Sequence, residues 1–277
     1  MNKEATPYLV IEPKATRKNY IRDLFRHRDV FLFLAWRDIT VRYKQTFFGA
    51  AWALFRPIMS MIVFVAVFGR VANLSSMGVD YSLFVLAALL PWIFLSNTIL
   101  ETALCLINNY NLITKIYFPR MLIPTAQIVI NLLDFSIATC LLFILGGVTG
   151  SINWFTVLTL PIWIMLMLFL GWGIALWMSA ITIKYRDMRI LVPFLVQFGM
   201  FASPVGYGSF IIPENWQWFY SLNPLVGVIA GFRWAFFNIS YPHMIAEMIT
   251  SAVVTVILVV SGFCYFQKSE AEFADII

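Results

Sequence analysis

Residues Leu83–Leu106 read LFVLAALLPWIFLSNTILETALCL, a run whose single charge is Glu101. A helix needs about twenty apolar residues, at 1.5 Å each, to cross the ~30 Å hydrocarbon layer of a bilayer, and this stretch supplies them. Working outward, comparable runs lie at Ala50–Phe68, Leu122–Ile144, Thr156–Ile183, Ile190–Val205 and Ile245–Phe266. The pattern predicts an all-α integral membrane protein with six transmembrane helices. A seventh apolar stretch, Leu222–Phe237, is shorter, carries Arg233 and follows Asn223-Pro224, so it predicts a re-entrant or interfacial segment between spans five and six.

The rest of the composition agrees with that reading. The 277 residues are 61% hydrophobic and 12% charged, where a soluble domain carries about 25% charged residues. There is no internal repeat. The chain divides into a cytoplasmic N-terminal segment (1–49), a six-span domain (50–266) and a cytoplasmic tail (267–277). A net charge of +5 raises the question of nucleic acid, and the placement of the basic residues answers it. Sixteen Lys and Arg fall before the first span, in the connections near 111–121 and 184–189, or in the tail, whereas the opposite connections hold only Arg70 and Arg233. Basic residues collect on the cytoplasmic side of membrane proteins, so both termini are expected there and nucleic acid is no partner. Residues 1–19 lack the apolar core of a signal peptide. Cys105, Cys140 and Cys264, scattered through apolar runs, fit packing better than a disulfide framework or a metal site.

Ahead of the first span, Ile21, Leu24, Phe25, Leu32, Ala35, Trp36 and Ile39 recur at helical spacing. This predicts an amphipathic helix lying in the membrane interface, where it could be a plain anchor or a working part. Between the second and third spans, Asn111–Arg120 is short, mixed and positively charged. It reads either as an ordinary loop or as one or two helical turns projecting into the cytoplasm.

Chemistry is notable for what is missing. The two histidines, His27 and His243, are expected on opposite sides of the membrane, and no nucleophile–base pair or carboxylate pair of an enzyme is evident. The phosphate-binding pattern G-x-x-x-x-G-K-[ST] is missing, so energy for pumping must come from a partner or an ion gradient. Glu101 and Asp134, the acids well inside spans, are candidates either for function or for helix pairing. Aromatic residues make up 17% of the chain. Trp92, Trp154, Trp216, Trp218 and Tyr220 suit interfacial belts. Phe48, Trp52 and Phe55, and then Phe194, Phe198 and Phe201, fall on single helix faces. Such faces could line a path for sugars, whose C–H surfaces lie well on flat rings, or could pack against helices and lipid.

Several segments taken together resemble the permease subunit of bacterial ABC transporters that export lipid-linked polysaccharide, most closely the O-antigen type. They are Arg37-Asp38-Ile39 through Arg42-Tyr43-Lys44-Gln45-Thr46, Gly49-Ala50-Ala51-Trp52-Ala53 with Arg56-Pro57, Leu89-Leu90-Pro91-Trp92, Asn111–Lys115 with Tyr117-Phe118-Pro119-Arg120, Tyr185-Arg186-Asp187, Ser203-Pro204-Val205 and Asn223-Pro224. They run in order from about residue 30 to the end. Phe48 departs from the pattern, where a smaller aliphatic residue is expected.

The resemblance implies a homodimer in the bacterial inner membrane, paired with two copies of a cytoplasmic ABC ATPase that binds ATP and Mg. This chain would hold no cofactor of its own. The cargo would be an undecaprenyl-pyrophosphate-linked glycan; capsular polysaccharide or teichoic acid on the same architecture, or a membrane-embedded transferase, are the competing readings. The resemblance also assigns roles. Asn111, Ile113, Thr114, Lys115, Tyr117 and Phe118 would dock on the ATPase as a coupling helix, with Ile113, Tyr117 and Phe118 as apolar contacts. Arg37, Arg42 and Arg56 would receive the pyrophosphate, although Arg56 could instead snorkel to lipid phosphate. Trp52, Phe55, Phe198 and Phe201 would line the channel.

Overall fold

The computed structural model describes residues 20–44, 49, 51–270 and 273. Gln45, Thr46, Phe48 and Ala50, on which parts of the expectations rest, lie outside them. The described residues form helices α1 (Tyr20–Arg26), α2 (Arg28–Lys44), α3 (Ala51–Phe64), α4 (Tyr81–Asn108), α5 (Tyr110–Ile113), α6 (Leu122–Val148), α7 (Trp154–Val157), α8 (Leu160–Lys184), α9 (Met188–Ala202), α10 (Glu214–Tyr220), α11 (Pro224–Phe237) and α12 (Met244–Ser269). A π-helical stretch, Val65–Val71, prolongs α3.

Among the described residues, five helices are long and apolar enough to cross a membrane: α3 with its π-helical extension, α4, α6, α8 and α12. The expected fifth span, Ile190–Val205, is the 15-residue α9, about 22 Å long. It stops at Ala202 because Ser203 precedes a proline and takes extended backbone. The expected amphipathic helix is two helices, α1 and α2, that meet at His27. Of its expected apolar face, Ala35 is buried with Leu34 against α6, while Ile21, Phe25, Leu32 and Trp36 are exposed. Two apolar faces, one against protein and one facing outward, had merged into a single stripe in the sequence.

The central helix is α4, which packs against α3, α6, α8, α9 and α11 and buries every side chain from Leu83 to Trp92. A helix that is apolar on all sides belongs in the middle of a bundle. The most extensive pairing is α8 with α12. A Cβ on Gly173 would stand 2.9 Å from the Val259 amide nitrogen, and one on Gly262 would stand 2.7 Å from the Gly173 carbonyl oxygen. Small residues here let two backbones touch, the means by which helices associate in lipid without a hydrophobic driving force. Trp177 adds a 3.1 Å hydrogen bond to Ser261 Oγ and stacks on Tyr265. Of the three cysteines expected to pack, only Cys105 is buried; Cys140 and Cys264 face outward.

The α11 segment begins where the Asn223 side chain accepts from the Leu225 amide at 3.1 Å, with Pro224 in the first turn, and ends at Asn238 in left-handed backbone. Its Arg233 is buried and pairs with no carboxylate among the described residues. The guanidinium lies 3.5 Å over the Phe84 ring and donates to the carbonyls of Val205 at 3.1 Å, Tyr207 at 3.0 Å and Phe84 at 3.3 Å. Ring face and carbonyl dipoles together replace the water the cation has lost.

At the other end of the bundle, Tyr20 donates to Glu270 Oε2 at 2.6 Å, the Arg120 amide donates to Glu270 Oε1 at 2.7 Å, and the Arg120 guanidinium donates to the Glu270 carbonyl at 2.7 Å. The start of α1, the connection from α4 to α6 and the end of α12 therefore meet on one face.

Candidate functional site

The site is built from α2, α3, α4 and α6. Arg37 in α2 donates to Asn109 Oδ1 at 2.9 Å, at the end of α4, and also pairs with its neighbour Asp38. Five residues on, Arg42 bonds Glu101 Oε1, just over two helical turns further into α4. The end of α2 therefore climbs into the bundle along α4 and α6. There Arg42 Nη1 donates to Asp134 Oδ2 at 2.7 Å and to Asn131 Oδ1 at 3.1 Å, and the Tyr43 hydroxyl donates to the other oxygen of Asp134. Gln127 donates to Glu101 Oε2 at 2.7 Å, and Asn131 donates to Thr98 Oγ1 at 3.4 Å.

This network answers the question that Glu101 and Asp134 raise. Seven residues separate Glu101 from the end of α4 and twelve separate Asp134 from the start of α6, depths of about 10 and 18 Å. Ionised groups at such depths persist only when paired or given access to water, and here they are paired and open to a cavity. The forked guanidinium binds two carboxylates, and the three side chains keep 20–30% of their surface open to a cavity of about 430 Å³.

Arg56, Asn97 and Trp52 also line that cavity. Arg56 is exposed, and its nearest polar contact, Asn97 Oδ1, is at 3.5 Å, the outer limit of a hydrogen bond. No carboxylate of the described residues forms a salt bridge with it. Of the three expected phosphate-binding arginines, Arg42 and Arg56 thus share one cavity, whereas Arg37 sits at the Asn109 end of α4 and does not line it.

The expected channel aromatics divide similarly. Trp52 lines the cavity and meets Phe55 edge-on at 5.3 Å. Phe198 and Phe201 face outward from α9, outside the cavity lining, and Phe198 packs beside Phe194. Both α3 and α9 lean on α4. Among the expected belt residues, Trp154, Trp216 and Trp218 are exposed and Tyr220 donates to the Tyr207 hydroxyl, but Trp92 is buried, its ring against Gly199 of α9.

The connection after α4 contains one short helix, α5, followed by turns. Asn111, Thr114 and Lys115 are exposed, and so are Ile116 and Tyr117; Ile113 and Phe118 are buried with Leu34, Leu106, Met121 and Phe266. The outward apolar surface of this segment is therefore Ile116 with Tyr117, because Ile113 and Phe118 anchor it from below. Asn97, Gln127 and Asn131 escaped the sequence reading, and Tyr43 entered it only as part of a motif, without a role. The signal that could have found them is Glu101 and Asp134 themselves, since two acids inside spans require a cation and donors nearby.

The sequence matches the family described as ABC-2 type transporter over residues 29–237. It is 27% identical over 259 residues to the O-antigen export system permease protein RfbA of Myxococcus xanthus, covering 93% of this chain and 98% of that one. It is 26% identical over 254 residues to the protein of the same name from Klebsiella pneumoniae, covering 90% and 95%. The polysialic acid transport protein KpsM of Escherichia coli is 25% identical over 202 residues, covering 72% and 76%.

Proposed function

The chain belongs to the ABC-2 type transporter family, and on that premise we propose that it is the membrane permease of a polysaccharide exporter of the O-antigen type. In this reading it works as a homodimer in the bacterial inner membrane with two copies of a separate ATPase, which binds ATP and Mg. It carries a glycan linked to undecaprenyl pyrophosphate outward. The observation that carries the reading is the cavity beside α3, which Arg42, Arg56 and Trp52 line together and where the Trp52 ring meets Phe55 edge-on. Guanidinium groups suit diphosphate oxygens, and aromatic faces suit sugar rings.

Other observations support the topology. The contacts of Tyr20 and Arg120 with Glu270 favour an even number of crossings between the ends of the bundle. With five long helices, α9 and the turn after it supply the sixth. The chain then returns through α10 and α11 as a re-entrant pair, consistent with the 3.1 Å bond from Asn223 to Ser203 and the Asn153 amide's 2.8 Å bond to the Phe236 carbonyl. The charge distribution favours both termini in the cytoplasm. Asn111, Thr114, Lys115 and Tyr117, now with Ile116, form the surface offered to the ATPase. Channel roles for Phe198 and Phe201 require that the α9 face meet the path on assembly.

A second reading, export of capsular polysaccharide by the same architecture, draws on the likeness to the polysialic acid transport protein. Reconstitution tests both. Proteoliposomes holding the chain and its ATPase, supplied with ATP and pyrophosphate-linked O-antigen, should move glycan to the opposite face. Transport of a capsular glycan instead would favour the second reading, and glycan movement without an ATPase would overturn both.

A further inference from the structure

The two arginines of the cavity are held differently. Arg56 has one long contact to a neutral amide, so any phosphate reaching the cavity can pair with it. Arg42 already has two carboxylates and an amide oxygen on its fork. We propose that Glu101 and Asp134 are specificity-determining residues, reserving Arg42 for a headgroup with two phosphates and denying it to ordinary membrane lipid. The proposal rests on the reading of the cavity as the place where the lipid phosphate is received.

The argument is one of competition. A bilayer presents phosphodiester headgroups, each with one negative charge at most, at very high local concentration. A bare arginine at such a site would be occupied by bulk lipid nearly all the time. A ligand takes Arg42 only by replacing bonds to two ionised groups, each among the stronger hydrogen bonds of a protein. A single phosphodiester replaces one charge with one charge and leaves the other carboxylate's hold in place. A diphosphate diester brings two charges on adjacent phosphorus centres, so one phosphate can rest on Arg56 while the other engages the fork of Arg42. Asp134 is further held by Tyr43 and Glu101 by Gln127, which fixes the carboxylates in place. The charged and titratable groups facing this cavity are Arg42, Tyr43, Arg56, Glu101 and Asp134. Two guanidinium groups against two ionised carboxylates leave the group with no net charge, an odd composition for a simple anion receptor and a suitable one for a guarded receptor.

The test uses the full chain in nanodiscs and radiolabelled farnesyl diphosphate as the probe, with discs of phosphatidylcholine alone or of an equal mixture with phosphatidylglycerol. Disc surface charge repels the probe equally from every variant, so variants are compared at one composition. The wild type should keep its advantage in the mixed discs. Asp134→Asn and Glu101→Gln should lose about tenfold in apparent affinity relative to wild type in the mixed discs only, about the worth of one charged bond, and Asp134→Glu should restore the wild-type pattern. If Asp134→Asn does not assemble, Glu101→Gln carries the comparison. Equal loss in both disc types would make the carboxylates merely structural and overturn the proposal, as would unchanged competition by phosphatidylglycerol. If the wild type binds no probe in either disc, the reading of the cavity itself fails.

Discussion

Tyr20 and Glu270 stand 250 positions apart in sequence and share a 2.6 Å hydrogen bond. Burial raises the Glu270 carboxyl above its usual range, outweighing the bonds from Tyr20 and the Arg120 amide that act the other way. A raised carboxylate favours the protonated folded state, so its stabilising contribution is present at acid pH and is lost as pH rises through the raised value. Glu270→Gln, neutral at every pH, should therefore gain on wild type as pH is raised from the acid range toward neutrality. Thermal unfolding in detergent across that range checks this; a wild type that gains on the variant with pH would contradict it.

Removing Arg42 alone should be costly. Arg42→Met leaves Glu101 and Asp134 facing each other inside the bundle, and we expect a loss of about 2 kcal/mol, reduced from the fully buried case because the group is open to the cavity. Adding Glu101→Gln and Asp134→Asn should recover more than half of it. Chemical unfolding in a fixed detergent measures both.

Replacing Arg56 with Leu should abolish export at unchanged protein level. Its side chain is exposed and forms no salt bridge with the described residues, so the fold loses little. Transport near wild type in the variant would reduce Arg56 to a contact with lipid phosphate.

The segment after α4 should split into two phenotypes. Tyr117→Ala or Lys115→Glu should leave stability unchanged while ATP hydrolysis proceeds without export. Phe118→Ala should instead lower stability by about 3 kcal/mol, as truncation of a buried ring does, because Phe118 belongs to the chain's own core. Paired measurements of melting and of transport per ATP separate the two.

Gly173→Ala should weaken the α8–α12 pairing by about 1–3 kcal/mol, since the added methyl meets the backbone of Val259 rather than a side chain that can move. A melting temperature equal to wild type would show that the helices can part without cost.

The long helices were legible because length and apolarity are local properties, and α4, α6, α8 and α12 fall close to the expected limits. The limit of α9 was not, because Val205 continues the apolar run after Ser203-Pro204 has already broken the backbone. The inward and outward faces of α2 were not, because lipid and protein select the same side chains. The arginines of the site are named from a resemblance, and the structure brings Arg42 and Arg56 to one cavity. The partners of Arg42 could not be read, since Glu101 and Asp134 lie 59 and 92 positions away and only the packing of α2 on α6 brings them together.

The depth of the network has an electrical consequence. With the Asn109 end of α4 on the cytoplasmic side, as proposed, Arg42 and its two carboxylates lie inside the voltage drop of the membrane. One elementary charge crossing the full drop is worth about 2.3 kcal/mol per 100 mV, so crossing a third of it is worth about 0.8 kcal/mol. An inside-negative potential drives an anionic headgroup outward from that position and draws a freed guanidinium inward. The respiratory state of the cell would thus bias the release of Arg42 before any ATP is hydrolysed.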